Sequence, residues 1–204
     1  LVLVPNEAWD PESDPVRTLL PDKIVMEFGL AQDVIDERLI TDAGEDTTSL
    51  GYSDLDPSRF ATVFNDPNLK KYIDNPIDGA LSYLTVFPQV APFDNIDCRK
   101  AVFQAIDKTT YLLAYGGANN GEIAVSPTPA GLPGYDNTVD KIPNGADHTG
   151  DVAAAQASLQ SCGQPDGFTT KLAFVPQGTG PARATAIQEA LDRVGITVEL
   201  APGE

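Results

Sequence analysis

One imidazole, two thiols and 30 carboxylates are the side chains of this 204-residue chain with the widest chemical reach. A hydrolytic triad needs an imidazole beside a nucleophile. The single histidine, His148, lies in the polar run Asp147-His148-Thr149-Gly150 and reads as a solvated loop residue. Paired carboxylates can do general acid–base work, but among 30 Asp and Glu no pair stands out. Cys98 and Cys162 form no CxxC motif, and with one His a structural zinc site lacks ligands. Two readings of the cysteines stay open: two buried free thiols, or one disulfide of an exported protein. A bridge would close a long loop, worth roughly 4 kcal/mol in the chain-entropy model. The best calcium candidate, Asp74-Asn75-Pro76-Ile77-Asp78-Gly79, lacks the alternating ligands of a calcium loop. Gly178-Thr179-Gly180-Pro181 sits where phosphate loops occur, without their Lys and third Gly, and reads as a simple turn. No catalytic constellation emerges, so the chain reads as a non-enzyme with no assigned metal or cofactor.

Charge narrows the partners. Thirteen Lys and Arg against 30 acids give a formal net charge of −17. Nucleic-acid backbones demand clustered cations, and anionic lipid surfaces demand them too; neither partner is expected. Residues 1–56 hold 14 acids and 3 bases, so most of the acidity sits in the first quarter. It reads as a solvated face and helix-capping carboxylates. The uncharged run Gly79–Phe93 carries two prolines and is too short to span a membrane. Leu1-Val2-Leu3-Val4 lacks the basic region and cleavage site of a signal peptide. It reads as a strand from within a longer protein, the alternative being a mature protein that opens in a strand.

These residues must be positioned by mixed α and β elements. Leu1–Val4, Lys23–Phe28, Thr47–Leu50 and Ala80–Phe87 have strand character. Asp33–Thr41 reads as a helix stopped near Gly44. Asp56-Pro57 and Asp66-Pro67 each place a capping carboxylate before a proline at a helix start. Asp94 is the expected cap of a helix whose inner stripe is Cys98, Val102, Ala105 and Ile106. Asp107 restarts a helix, with Tyr111, Leu112 and Tyr115 as apolar positions and Gly116-Gly117 as its end. Residues 118–150 form a long Gly-, Pro- and Asn-rich stretch, either functional or laid over another lobe. Then come a helix over Asp151–Cys162, a strand over Phe168–Val175, a helix over Pro181–Val194 and a strand over Ile196–Leu200. Strand, helix and strand in that order predict a parallel βαβ unit.

Several segments, in collinear order, resemble the extracellular solute-binding proteins of family 5, the oligopeptide, dipeptide and nickel class that serves ABC importers. Leu1 to Asn6, with Asp10-Pro11 and Asp14-Pro15-Val16-Arg17, is similar to the family's strand and following turn. Leu20 to Val25 is similar to its next strand. Tyr83-Leu84-Thr85, Pro92-Phe93-Asp94, and Arg99-Lys100-Ala101-Val102 to Ala105-Ile106-Asp107-Lys108 match its most recognisable run. Pro133-Gly134-Tyr135, Gly163 to Phe168, and Val194 to Leu200 continue it. Asp97-Cys98-Arg99-Lys100-Ala101 with Cys162-Gly163 resembles the actinobacterial branch, which implies a Cys98–Cys162 disulfide.

The resemblance implies an α/β fold: a fragment of a type-II-like periplasmic clamshell, a mixed sheet with the βαβ unit in the C-terminal lobe. Residues 1–80 would be the returning part of the N-terminal lobe. Residues 81–204 would be the hinge strand and the first half of the C-terminal lobe. Function would be capture of a peptide or similar small solute for ABC permease subunits. The protein would be a cell-surface lipoprotein or periplasmic, touching the membrane only through a lipid anchor. Tyr83, Thr85 and Phe87 are the candidates for facing the ligand; the alternative is a plain core strand. Two departures bear on this: Phe87-Pro88 stands where the family usually has Asn, and Val4-Pro5 replaces its basic residue before Asn6. A secreted enzyme or sensor domain on the same scaffold, and a stand-alone interaction domain using the 118–150 stretch, are the rival readings.

Overall fold

The computed structural model describes residues 1–204 except 19, 77, 139, 141–143 and 204. The chain divides into two compact units, Leu1–Lys70 and Lys71–Glu204.

The first unit opens with β1 (Val2–Leu3), antiparallel to β2 (Ile24–Val25), with Val2 opposite Val25 and Leu3 opposite Ile24. Helix α1 (Gln32–Thr41) ends at Asp42 in a left-handed conformation, φ 46°, two residues before the expected Gly44. Short polar side chains are the non-glycine residues best able to tolerate that geometry. Residues 44–48 form a 3₁₀ turn where a strand is expected over Thr47–Leu50. The reason is local: the Thr47 and Thr48 hydroxyls donate back to the Gly44 and Glu45 carbonyls, at 3.0 and 3.3 Å. Arg38 clamps that turn, donating from Nη2 to Asp46 Oδ1 at 2.6 Å and from Nη1 to Glu27 Oε2 at 2.7 Å. The guanidinium hydrogen bond holds the Asp46 carboxyl below its ordinary pKa.

Asp36 is the buried carboxylate of this unit, 2% exposed. It accepts from Gln32 Nε2 at 2.7 Å and from the Asp56 N–H at 2.9 Å. It therefore ties α1 to the next helical start. There Asp56 accepts from the Ser58 N–H, and Pro57 opens a 3₁₀ turn that leads into α2 (Phe60–Asn65). Asp66 repeats the device, accepting from the Asn68 N–H at 2.8 Å before α3 (Pro67–Lys70).

The second unit carries the main core. Helix α4 (Ile96–Ala105) is capped by Asn95, whose side chain accepts from the Asp97 N–H, and not by Asp94. Asp94 is spent one residue earlier, accepting from the Asn95 N–H at 3.1 Å. Helix α5 (Lys108–Tyr115) starts at Asp107 and stops at Gly116, φ 118°. Helix α6 (Val152–Ser161) starts at Asp151, whose N–H donates to the Gln104 carbonyl at 2.7 Å. Small residues on α4 (Cys98, Ala101, Ala105) let α6 approach closely, burying Ala155 and Leu159 completely. A disulfide joins Cys98 to Cys162 across this helix pair.

Strand β3 (Thr169–Phe174), helix α7 (Gly180–Asp192) and strand β4 (Thr197–Pro202) follow in order. The strands are parallel, pairing Thr169 with Thr197 through Phe174 with Pro202. This is the βαβ unit the sequence predicts. Ile187 and Leu191 of α7 and Val198 of β4 join Val194 and Ile196 against Val102 of α4 and Leu159 of α6 in one cluster. Gly180 is sterically required: a Cβ there would collide with the Val175 carbonyl, so only glycine lets α7 start this close to β3.

Asp107 supplies a prediction. Burial alone would raise its carboxyl pKa. Hydrogen bonds from Thr109 Oγ1 (2.6 Å), the Thr110 N–H (2.9 Å) and Thr110 Oγ1 (2.8 Å) outweigh burial and hold it below the ordinary value. A depressed pKa contributes stability above the unfolded-state value, lost as pH falls through the folded one. Asp107→Ala is expected to cost about 1 kcal/mol near neutral pH. That deficit should shrink below about pH 4. Urea midpoints of both proteins at pH 7 and pH 3 check this; an equal deficit at both would contradict it.

Candidate functional site

Residues 81–87 do not form a strand ladder: among the described residues none of them pairs with another strand. Over residues 83–87 the burial nevertheless alternates as a strand's does. Leu84 and Val86 pack against the core cluster, while Tyr83, Thr85 and Phe87 are exposed. Tyr83 is 76% and Phe87 63% exposed. The structure thus brings the three sequence-predicted residues together on one outward face, and they are not core residues. Two large aromatic side chains left in water on one face are the kind of surface that a solute or further protein covers.

A second group, which the sequence reading misses, gathers around Ser82. The Ser82 and Tyr111 hydroxyls are 2.8 Å apart. Arg183, in the first turn of α7, reaches both from Nη1, at 3.3 Å to Tyr111 Oη and 3.5 Å to Ser82 Oγ. Its guanidinium carbon sits 4.8 Å from the Tyr115 ring centre, a cation–π contact. Arg183 Nε is buried and has no hydrogen-bond partner among the described residues. Tyr111 and Tyr115, four apart on α5, read as plain apolar positions in the sequence. Their helical spacing is the only local signal, and nothing in it points to an arginine 68 residues further on.

His148 corrects an expectation. It is half-buried and not a solvated loop residue. Its Nδ1 lies 3.2 Å from Oδ1 of Asn144, which is fully buried. Asn144 Nδ2 donates to the Ile106 carbonyl at 2.8 Å, and the Lys108 N–H donates to the His148 carbonyl at 2.9 Å. Residues 144–150 therefore fasten the end of the long stretch onto the start of α5. Part of that stretch, residues 139 and 141–143, lies outside the described residues. Gly178 to Pro181 is the plain βα turn expected, its Gly180 N–H donating to the Gln177 carbonyl. Among the described residues no three His, Cys, Asp or Glu side chains converge to hold a metal ion. None of the described helices is long and apolar enough to cross a membrane.

Comparisons with known proteins agree with this architecture. The family model described as "Bacterial extracellular solute-binding proteins, family 5 Middle" matches residues 1–204. The solved structure titled "Clavulanic acid biosynthesis oligopeptide binding protein 2" is similar over 99% of this chain, with 34% identity and a TM-score of 0.83. The Helicobacter pylori ABC transporter-associated periplasmic binding protein DppA, solved with peptide STSA, is similar over 100% of the chain. At 21% identity and a TM-score of 0.73 it supports the fold alone. The chain spans 36% of the length of each of these two. No curated protein matches it. With the whole of its 204 residues matched and the α/β architecture shared, the chain belongs to the bacterial extracellular solute-binding proteins, family 5.

Proposed function

We propose that this chain is the middle portion of a substrate-binding component of an ABC importer, one that captures a peptide or similar small solute outside the cell and delivers it to permease subunits. The observation that carries the reading is the match to an oligopeptide-binding protein over 99% of the chain, at a TM-score of 0.83. Residues 1–80 contribute to the N-terminal lobe of the whole protein. Residues 81–204 form its hinge strand and the first half of its C-terminal lobe. Tyr83, Thr85 and Phe87 face the solute. Aromatic faces suit this task, because they bury large area and tolerate varied side chains. The whole protein is held at the cell surface by a lipid anchor. No bond is made or broken: the solute favours a closed state over an open one, and the free energy of that preference drives capture.

The test is a calorimetric titration of the full-length protein with a pool of random tetrapeptides, followed by mass analysis of the recovered peptides. Saturable binding with unchanged masses supports the reading. Absence of binding, or recovery of cleaved peptides, overturns it, the second outcome favouring a secreted enzyme on the same scaffold.

A further inference from the structure

The two sulfurs of the Cys98–Cys162 bridge have unlike surroundings. Cys98 has no exposed surface and shares the buried side of α4 with Ala101, Val102 and Ala105. Cys162 is half-buried, between exposed Ser161 and Gly163 in the turn that ends α6. A thiol opens a disulfide by attacking one of its sulfurs, and access decides which one it reaches. Here the open approach is to Cys162.

The helix ends point the same way. Cys98 is the third residue of α4. In that first turn the backbone N–H groups lack acceptors within the helix, and the dipole end is positive. Such a position favours a thiolate. The neighbouring Asp97 carboxylate would oppose one, but it is paired with Lys100 Nζ at 2.8 Å. Cys162 occupies the opposite kind of end, the C-cap of α6, where the dipole is negative. Its Sγ lies 3.4 Å from the Leu159 carbonyl oxygen. A thiol there can donate to that oxygen, and a thiolate is repelled by it. Burial opposes a charge on Cys98, and the first-turn dipole offsets part of that cost; access settles the direction.

We infer that Cys162 is a thiol-exchange site, at which an external small thiol forms a mixed disulfide and releases Cys98. The new S–S bond to Cys162 forms as the bond to Cys98 breaks, and the electron pair leaves on Cys98 Sγ. The proton lost by the attacking thiol passes to solvent or to Cys98. One disulfide replaces another, so this step needs no oxidant or reductant. In reverse, Cys98 attacks Cys162 Sγ, expels the small thiol and restores the bridge. The capped state lacks the covalent tie between α4 and α6, so external thiols set how firmly that helix pair is held. The inference stands independently of the proposed solute.

The experiment uses the full-length protein with its bridge intact, and glutathione as the probe. After a brief exposure in native buffer, free thiols are blocked with N-ethylmaleimide and unreduced peptides are mapped by mass spectrometry. Glutathione on Cys162 with maleimide on Cys98 is expected to exceed the reverse arrangement by about tenfold or more, as exposure governs thiol exchange. Equal adducts, an excess on Cys98, or a bridge that opens only in denaturant would overturn the inference. If a second glutathione clears the adduct before it is trapped, both cysteines carry maleimide, and single-cysteine variants decide. Cys98→Ala leaves Cys162, and Cys162→Ala leaves Cys98. Both lack the bridge equally, so a difference in rate between them reports access. With oxidised glutathione in native buffer, Cys98→Ala should gain its adduct faster by about tenfold or more. Similar rates, or a faster Cys162→Ala, would overturn the inference.

Discussion

Replacing both cysteines, as Cys98→Ala with Cys162→Ala, is expected to destabilise the second unit by roughly 4 kcal/mol. The bridge joins residues 64 apart in sequence, and the unbridged unfolded chain regains the entropy of that loop. The site is also a packing site. Cys98 is fully buried on the face of α4 that meets α6. Losing the link removes the covalent tie between the two helices that build the core. The measurement is urea unfolding, followed by near-ultraviolet dichroism, with and without reductant. Reductant should lower the midpoint of the native protein and leave the double variant unmoved. A native protein indifferent to reductant, or one with two alkylatable thiols before reduction, would refute the account of the bridge.

Leu159→Ala is expected to cost about 3–4 kcal/mol. Leu159, on α6, is completely buried in the core cluster that it shares with Ala101, Val102 and Ala105 of α4. Truncation removes its transfer free energy and leaves a cavity that the surrounding Ala101, Ala105 and Ala155 are too small to fill. Leu159→Met, close in volume, should cost less than about 1.5 kcal/mol. Equilibrium unfolding of both variants separates the two effects; equal small losses would mean that the helix pair is less tightly packed than described. Because Leu159 lies three residues from Cys162, its cost and that of the bridge should not add.

The sequence made the βαβ unit legible because its signals were strong and mutually consistent. Ile187, Leu191 and Val194 repeat at helical spacing, and Gly195 separates them from an alternating strand. The Asp-Pro starts were equally legible, since a carboxylate before a proline has one favourable use. What failed was decided by competition between neighbours. Asp94 and Asn95 can each cap a helix, and only the turn closed by the Asn95 N–H on the Pro92 carbonyl puts Asn95 in the capping place. Thr47 and Thr48 are strand formers whose hydroxyls found nearer acceptors in their own turn. Residues 83–87 show the strand pattern in their burial but have no ladder partner among the described residues, and pairing is not a local property.

The exposure of the 83–87 face was legible in the sequence. Alternation alone places Tyr83, Thr85 and Phe87 on one face, and the structure keeps that face exposed. The contacts of Arg183 with Tyr111 and Tyr115 depend on the packing of α5 against α7, which no local sequence signal records. His148 has a polar sequence context, and its half-buried place depends on the fully buried Asn144, a contact no local signal marks.

We propose that this chain is part of a protein that captures a small solute without transforming it. The most direct measurement is calorimetric titration of the full-length protein with the random tetrapeptide pool, with the bound fraction recovered and weighed by mass spectrometry. Saturable binding, with the peptides returned intact, is the expected result. A flat titration, or peptides returned as fragments, would contradict it.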